Sequence, residues 1–142
     1  MVSRKNIFYR ITDENENAVT DVLCNLMKHR FIRDIVIRFF IPDISESALD
    51  SISEEGIIPQ KRIEYGGQPD LKIESPKIYI IVENKIRNET KPTPHELSSY
   101  ITAIRFSKAE YKRLVYLIPQ DYSSIQPFRD IEKENSGVVS VR

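Results

Sequence analysis

The stretch from Gly66 to Lys85 constrains the fold more than any other part of the chain. On both sides of Ser75-Pro76 its apolar residues alternate with other residues, which is the period of a half-buried strand interrupted by a turn. The alternating apolar residues are Leu71, Ile73, Ile78, Ile80 and Val82. The pattern predicts a β-hairpin with one wholly apolar side, and that side is expected to lie on the core.

The position of the turn decides which residues face each other across this hairpin. If the connection is Ser75-Pro76 alone or the four residues 74–77, facing residues have numbers that add to 151. Asp70 and Glu83 are then diagonal neighbours on the side opposite the core, roughly 7 to 8 Å apart between backbones. Lys85 follows on the same side, and two glycines before Pro69-Asp70 allow the sharp turn that leads into the hairpin.

Two carboxylates and an ammonium group at one sheet rim suit the cleavage of phosphodiester bonds. Asp70 and Glu83 can hold a hard cation through oxygen, and Lys85 places a positive charge beside it. The pattern Pro69-Asp70, then twelve residues, then Glu83-Asn84-Lys85 resembles the signature of the PD-(D/E)XK nuclease superfamily. The resemblance extends over about residues 12–118.

This resemblance implies an α/β fold, with a restriction-endonuclease-like core of order αβββαβ. The core would be a mixed sheet of four to five strands flanked by helices, with residues 1–142 as one domain. The implied cofactor is Mg²⁺, with Mn²⁺ as a substitute, held by Asp70, Glu83 and the backbone carbonyl of Asn84. Lys85 would orient or help to deprotonate the attacking water and offset charge in the transition state.

Three further residues are candidate helpers of this site. Glu16 shares a helix face with Thr20 at a spacing of four, and the superfamily often brings an acid from its first helix to the metal. A first-turn acid that complements the helix dipole is the alternative for Glu16. On a later helix the superfamily commonly has Gln and, four positions on, Tyr; here Glu96 and Tyr100 take these places.

The remaining elements follow from periodicity and capping signals. Helices are predicted at 12–29 with Thr12 or Asp13 as cap, at 31–42, 45–52, 94–106 and 123–134. Strands are predicted at 57–65, in the hairpin, at 112–118 and at 138–141. A strand over 34–40 is an alternative to the second helix. The strand predicted at the last residues suggests a piece of a longer protein, although a native terminal strand is the alternative.

Composition limits the kinds of partner that the chain can have. The 21 basic and 21 acidic residues cancel, so any phosphate-binding surface must come from segregated charge. Candidate phosphate contacts are Arg30, Arg33, Arg38 and Arg87, with an ordinary solvated face as the alternative. A single cysteine and the absence of a membrane-length apolar run in the sequence favour a cytoplasmic protein without a membrane partner.

Together these features predict a Mg²⁺-dependent nuclease that hydrolyses nucleic acid, with DNA favoured over RNA. The alternative is a catalytically inactive module of the same fold that binds nucleic acid or a protein partner. A homodimer, or additional domains of a longer parent chain, stay open. For Asp70, Glu83 and Lys85 the plainest alternative is an exposed cross-strand salt bridge worth less than about 1 kcal/mol.

Overall fold

The computed structural model describes residues 16–85, 93–119 and 125–142. The described helices are α1 (Glu16–Leu26), α2 (Arg30–Phe40), α3 (Glu46–Asp50), α4 (Pro94–Phe106) and α5 (Gln126–Glu134), with a short 3₁₀ turn at Glu54–Gly56. The described strands are β1 (Ile57–Pro59), β2 (Leu71–Glu74), β3 (Ile78–Asn84), β4 (Tyr111–Leu117) and β5 (Val139–Val141). None of these helices is long and apolar enough to cross a bilayer.

The five strands form one mixed sheet in the order β1-β2-β3-β4-β5. The first three strands pair antiparallel, and β3, β4 and β5 pair parallel. Each parallel pair is joined by a segment that contains a helix, which is the connection that parallel strands require. The predicted α/β class and the predicted mixed sheet of four to five strands are therefore confirmed.

Apolar side chains cover both faces of this sheet. Helices α1, α2 and α3 contribute to one cluster, together with the apolar side of the hairpin. Helices α4 and α5 contribute to the other, which includes Ile81, Tyr100, Tyr116 and Phe128. Because helices cover both faces of the sheet, β3 is buried along almost its whole length. Side chains of β3 on the α4 side, which sequence alternation alone would leave exposed, are therefore enclosed.

The hairpin turn lies one residue later than the sequence predicts. Ser75 and Ile78 exchange backbone hydrogen bonds, and the Ser75 hydroxyl accepts from the backbone N–H groups of Lys77 and Ile78 at 3.2 and 3.1 Å. The turn residues are therefore Pro76 and Lys77, and facing residues have numbers that add to 153, as in Leu71 opposite Val82. The predicted sum of 151 is wrong, but a shift of two keeps every side chain on its predicted face.

Most other boundaries fall within a few residues of their predicted positions. The helix over Arg30–Phe40 is confirmed against the alternative strand, and Ser45 caps α3 by accepting from the Ala48 N–H at 3.1 Å. The strand predicted at 57–65 is wrong beyond Pro59, because Gln60 has φ 45° and the chain turns away from the sheet. The cap predicted at Thr12 or Asp13 lies outside the described residues.

Candidate functional site

The ends of β2 and β3 bring two carboxylates to the α4 side of the sheet. Leu71 faces Val82, so continuing the register by one residue sets Asp70 opposite Glu83. This is closer than the diagonal relation that the sequence predicts, and the later turn is the cause. Asp70 Oδ2 accepts a hydrogen bond of 2.7 Å from the backbone N–H of Asn84, which fixes the Asp70 side chain across the rim of the hairpin.

Glu83 is almost completely buried, at 4% exposure, and it is held from two directions. The Tyr100 hydroxyl donates to Glu83 Oε1 at 2.6 Å, and Lys85 Nζ lies 3.5 Å from Glu83 Oε2. Burial first, and then the charge of Asp70, raise the pKa of Glu83 to about 8, against the lowering effects of Tyr100 and Lys85. Burial and the Asp70 charge thus outweigh the Tyr100 hydrogen bond and the Lys85 charge, so the Glu83 carboxyl keeps its proton at neutral pH.

Helix α1 reaches the same corner through Thr20. Thr20 is fully buried, and its Oγ1 accepts a hydrogen bond of 2.9 Å from Asn84 Nδ2. The bond fixes the residue that lies between Glu83 and Lys85, and it shows that this face of α1 packs against the end of β3. Glu16 begins α1 one turn before Thr20, but its side chain lies outside the described part of the chain.

Helix α4 supplies the other two candidate helpers. Tyr100 contacts Glu83 directly, as described above, and the charge of Glu96 raises the pKa of Glu83 further. Burial and the charges of Glu83 and Glu96 also raise the pKa of the Tyr100 phenol, so this hydroxyl keeps its proton. The structure thus brings Glu96 and Tyr100 to the same cluster as Asp70, Glu83 and Lys85.

One residue of this cluster was missed by sequence reasoning. Tyr116 on β4 pairs with Glu83 in the parallel register, and its side chain is fully buried against the Phe128 ring. Its hydroxyl has no hydrogen-bond partner within the residues that the structure describes. Burial, followed by the charges of Glu96 and Glu83, raises the pKa of Tyr116, so this hydroxyl keeps its proton. The strand pairing puts Tyr116 next to Glu83 in the sheet.

Two glycines shape the turn that leads into Asp70. Gly66 and Gly67 have φ values of 93° and 87°, a region that L side chains rarely adopt. A Cβ at Gly67 would lie 2.9 Å from Cε1 of Tyr100, closer than real Cβ contacts. The turn therefore packs directly on the tyrosine that holds Glu83.

Gly67→Ala is expected to destabilise the fold by about 1 to 3 kcal/mol and to weaken the site as well. The backbone strain destabilises, and the new methyl group displaces the Tyr100 ring from Glu83. Gly137→Ala is the matched control, because Gly137 has φ 80° but nothing within 4 Å of a Cβ. Chemical denaturation and Mn²⁺ titration of both variants provide the measurement. Equal loss of Mn²⁺ affinity in the two variants would contradict the role given to Tyr100.

Three of the four arginines that were candidates for phosphate contact belong to α2, on the other side of the sheet. Arg33 is buried, and its guanidinium donates to the carbonyl oxygens of Met27 and Ile52 at 3.2 and 3.5 Å. Arg30 pairs with Asp50, and Arg38 pairs with Glu46. Arg33 is therefore not available at the surface, and its predicted phosphate contact is wrong. The charges of Arg30 and Arg38 are each paired with a carboxylate. Arg87 lies outside the described residues.

The described side chains supply only part of the ligand set that a hard divalent cation needs. Among the described residues, no group of three or more His, Cys, Asp and Glu side chains is arranged to hold a metal ion. Asp70 and Glu83 provide two carboxylates, and the raised pKa of Glu83 indicates negative charge that an added cation would relieve. Oxygen ligands and room for several waters are what Mg²⁺ requires.

Comparison of the chain with protein-family models, with curated proteins and with solved structures finds no match.

Proposed function

We propose that this chain is a divalent-metal-dependent nuclease of the PD-(D/E)XK type, which hydrolyses phosphodiester bonds in nucleic acid. The observation that carries the proposal is the meeting of Asp70, Glu83 and Lys85 at the neighbouring ends of β2 and β3. A surface salt bridge does not account for them, because the Glu83 and Lys85 side chains are only 5% and 10% exposed. Burying such charges costs free energy that a solvated ion pair avoids.

The order of elements also supports the proposal. After the three helices α1 to α3, an antiparallel unit of three strands, the helix α4 and a strand parallel to the third follow one another. This order agrees with the αβββαβ core of the restriction-endonuclease-like fold, which we propose for this chain. The positions of Asp70 just before β2 and of Glu83 near the end of β3 also support the proposal, because the PD-(D/E)XK signature expects its two acids there.

Asp70 and Glu83 would hold Mg²⁺, and the backbone carbonyl of Asn84 would add a third oxygen. When bound, the cation supplies stabilisation of negative charge on the phosphate and increases the acidity of water. Thr20 keeps the Asn84 side chain in place, and Tyr100 keeps one Glu83 oxygen directed by its hydrogen bond. Both contacts would orient the metal-binding residues Asn84 and Glu83, and neither would touch the substrate.

Lys85 would act on the substrate side of the site. Its ammonium group lies 3.5 Å from Glu83 Oε2, so Glu83 both holds the cation and directs Lys85. An ammonium group there donates hydrogen bonds to an attacking water and offsets charge that develops on the phosphate oxygens. The substrate that we propose is DNA in preference to RNA, cleaved in the cytoplasm.

Metal binding and cleavage are tested separately. Calorimetric titration with Mn²⁺ is expected to show binding to the wild type, and binding should be lost in the Asp70→Ala/Glu83→Ala double variant. Labelled single-stranded DNA, duplex DNA and RNA are then incubated with excess protein and Mg²⁺ or Mn²⁺, with EDTA as the control. Equal Mn²⁺ binding by the two proteins, or no cleavage of any of the three, would overturn the proposal. Binding of nucleic acid without cleavage would favour the inactive-module alternative.

A further inference from the structure

Two aromatic rings stack on the surface at one end of α4. Tyr65 and Phe106 have ring centroids 5.4 Å apart and an angle of 14° between their planes. Both are exposed, Tyr65 at 40% and Phe106 at 69%. Stacking buries one face of each ring, so the exposure of Phe106 shows that its ring remains open to another planar group.

This aromatic pair belongs to the same structural layer as the candidate site. Tyr65 precedes the glycine turn, in which Gly67 packs on Tyr100 of α4. Tyr100 and Phe106 lie six residues apart on that helix, which is about 9 Å along its axis. The pair therefore lies at the C-terminal end of the helix whose Tyr100 contacts Glu83.

The segments that carry the two rings also carry cations without acidic partners. Lys61, Arg62, Arg105 and Lys108 are exposed, and none of the four makes an ion pair with any residue that the structure describes. The same two segments, 61–65 and 105–110, contain only two acids, Glu64 and Glu110. In contrast, the α2 arginines at the surface are paired with carboxylates. Four cations that are open to a ligand therefore lie within a few residues of the aromatic pair along the chain.

We propose that Tyr65, Phe106 and the four cations form a docking surface for single-stranded nucleic acid, with an unpaired base stacked on the open face of Phe106. This inference rests on the proposed nuclease function, and it specifies that the substrate is a single strand or an unpaired end. Phosphates pair with lysine and arginine, and bases stack on exposed aromatic rings, so the two features together fit a nucleic-acid strand. A purely apolar partner surface would not require four open cations.

An intact duplex fits this surface poorly. Its bases are already stacked on one another, and an aromatic side chain reaches them only after unstacking, which costs a few kcal/mol. In a single strand each base has a free π-face at no such cost. The Phe106 ring would therefore favour single strands over duplexes, and it would set the register of the strand relative to the carboxylates.

The test measures binding in EDTA, so that cleavage plays no part. Fluorescence anisotropy is recorded for a labelled dT20 strand and for a labelled 20-bp duplex. Phe106→Ala is expected to weaken binding of the single strand by about 5- to 150-fold, the equivalent of about 1 to 3 kcal/mol per stacked base, with little change for the duplex. Phe31→Ala is the matched control, because Phe31 is also exposed but lies on α2 on the other side of the sheet.

The cations are tested by salt dependence. The Arg105→Ala/Lys108→Ala double variant is expected to reduce the slope of log affinity against log salt concentration by about 1.4, or about 0.7 for each lost contact. Unchanged single-strand affinity in Phe106→Ala would overturn the docking surface, as would an equal loss in Phe31→Ala or an unchanged salt slope. Wild-type cleavage under Mg²⁺ is scored independently. If the wild type cleaves nucleic acid but Phe106→Ala binds the single strand as tightly as the wild type, only the docking surface is wrong. If the wild type binds the strand in the expected way but does not cleave, only the nuclease function is wrong.

Discussion

Asp70→Asn and Glu83→Gln are each expected to reduce nucleic-acid cleavage by about a hundredfold or more, without loss of the fold. Each change removes one negative ligand and keeps the shape of the side chain. The new amide oxygen would still accept from the Asn84 N–H in Asp70→Asn and from the Tyr100 hydroxyl in Glu83→Gln, so the contacts at 2.7 and 2.6 Å are retained. What is lost is a negative charge that, on the proposed function, would hold a divalent cation and so stabilise the transition state. Initial cleavage rates at saturating Mg²⁺ provide the measurement.

Glu74→Gln is the matched control for these two variants. Glu74 lies on the same hairpin and pairs with Lys72 at 2.9 Å, but its side chain is half exposed and away from the carboxylate pair. Its loss should change the cleavage rate little. Lys85→Ala should reduce the rate while Mn²⁺ affinity changes little, because the ammonium acts on water and phosphate. If Asp70→Asn and Glu74→Gln cleaved at equal rates, Asp70 would have no role in the reaction.

Without metal, the wild-type protein is expected to lose stability as the pH rises from 5 to 8. The pKa of Glu83 is raised from 4.5 to about 8 on folding, first because the carboxyl is buried and then because Asp70 is close. The folded state therefore binds a proton that the unfolded state releases, so its stability is full below pH 4.5 and declines as the pH approaches 8. The unfolding free energy should fall by more than about 1 kcal/mol over this window, since one pKa unit corresponds to about 1.36 kcal/mol.

Glu83→Gln should remove most of this pH dependence, and at pH 8 in EDTA it should be more stable than the wild type. Gln cannot ionise, yet it keeps the hydrogen bond from Tyr100. Urea denaturation at pH 5, 6.5 and 8 provides the measurement, with Glu74→Gln as the control that keeps the wild-type slope. Mg²⁺ at pH 8 should reverse the order, because a cation stabilises only the protein that still has the ionised carboxylate. Parallel pH profiles for the wild type and Glu83→Gln would contradict the environment that we assign to Glu83.

The faces of the hairpin could be predicted from the sequence, because alternation has a period of two and a shift of two residues in the register leaves it unchanged. The register could not, because a single hydroxyl, that of Ser75, selects Pro76 and Lys77 as the turn. Alternation nevertheless sufficed to place Asp70 and Glu83 on one side of the sheet.

Contacts between distant parts of the chain account for what the sequence did not predict. The bond between Thr20 and Asn84 spans 64 positions, and no local pattern signals it. Tyr116 enters the site only because β4 pairs with β3 in one parallel register. The charges of Arg30 and Arg38 are neutralised by carboxylates of α3, a relation that depends on how the helices pack.

The packing of Gly67 on Tyr100 also restricts how this protein can change. A larger residue at position 67 needs a smaller one at position 100, but a smaller residue there would lose the hydroxyl that binds Glu83. Position 67 therefore cannot take a larger residue while Tyr100 is kept, and the joint change removes the hydroxyl that holds Glu83. In a set of diverged relatives that retain activity, we therefore expect glycine and tyrosine to be inherited as a pair, and in inactive descendants to be lost as a pair.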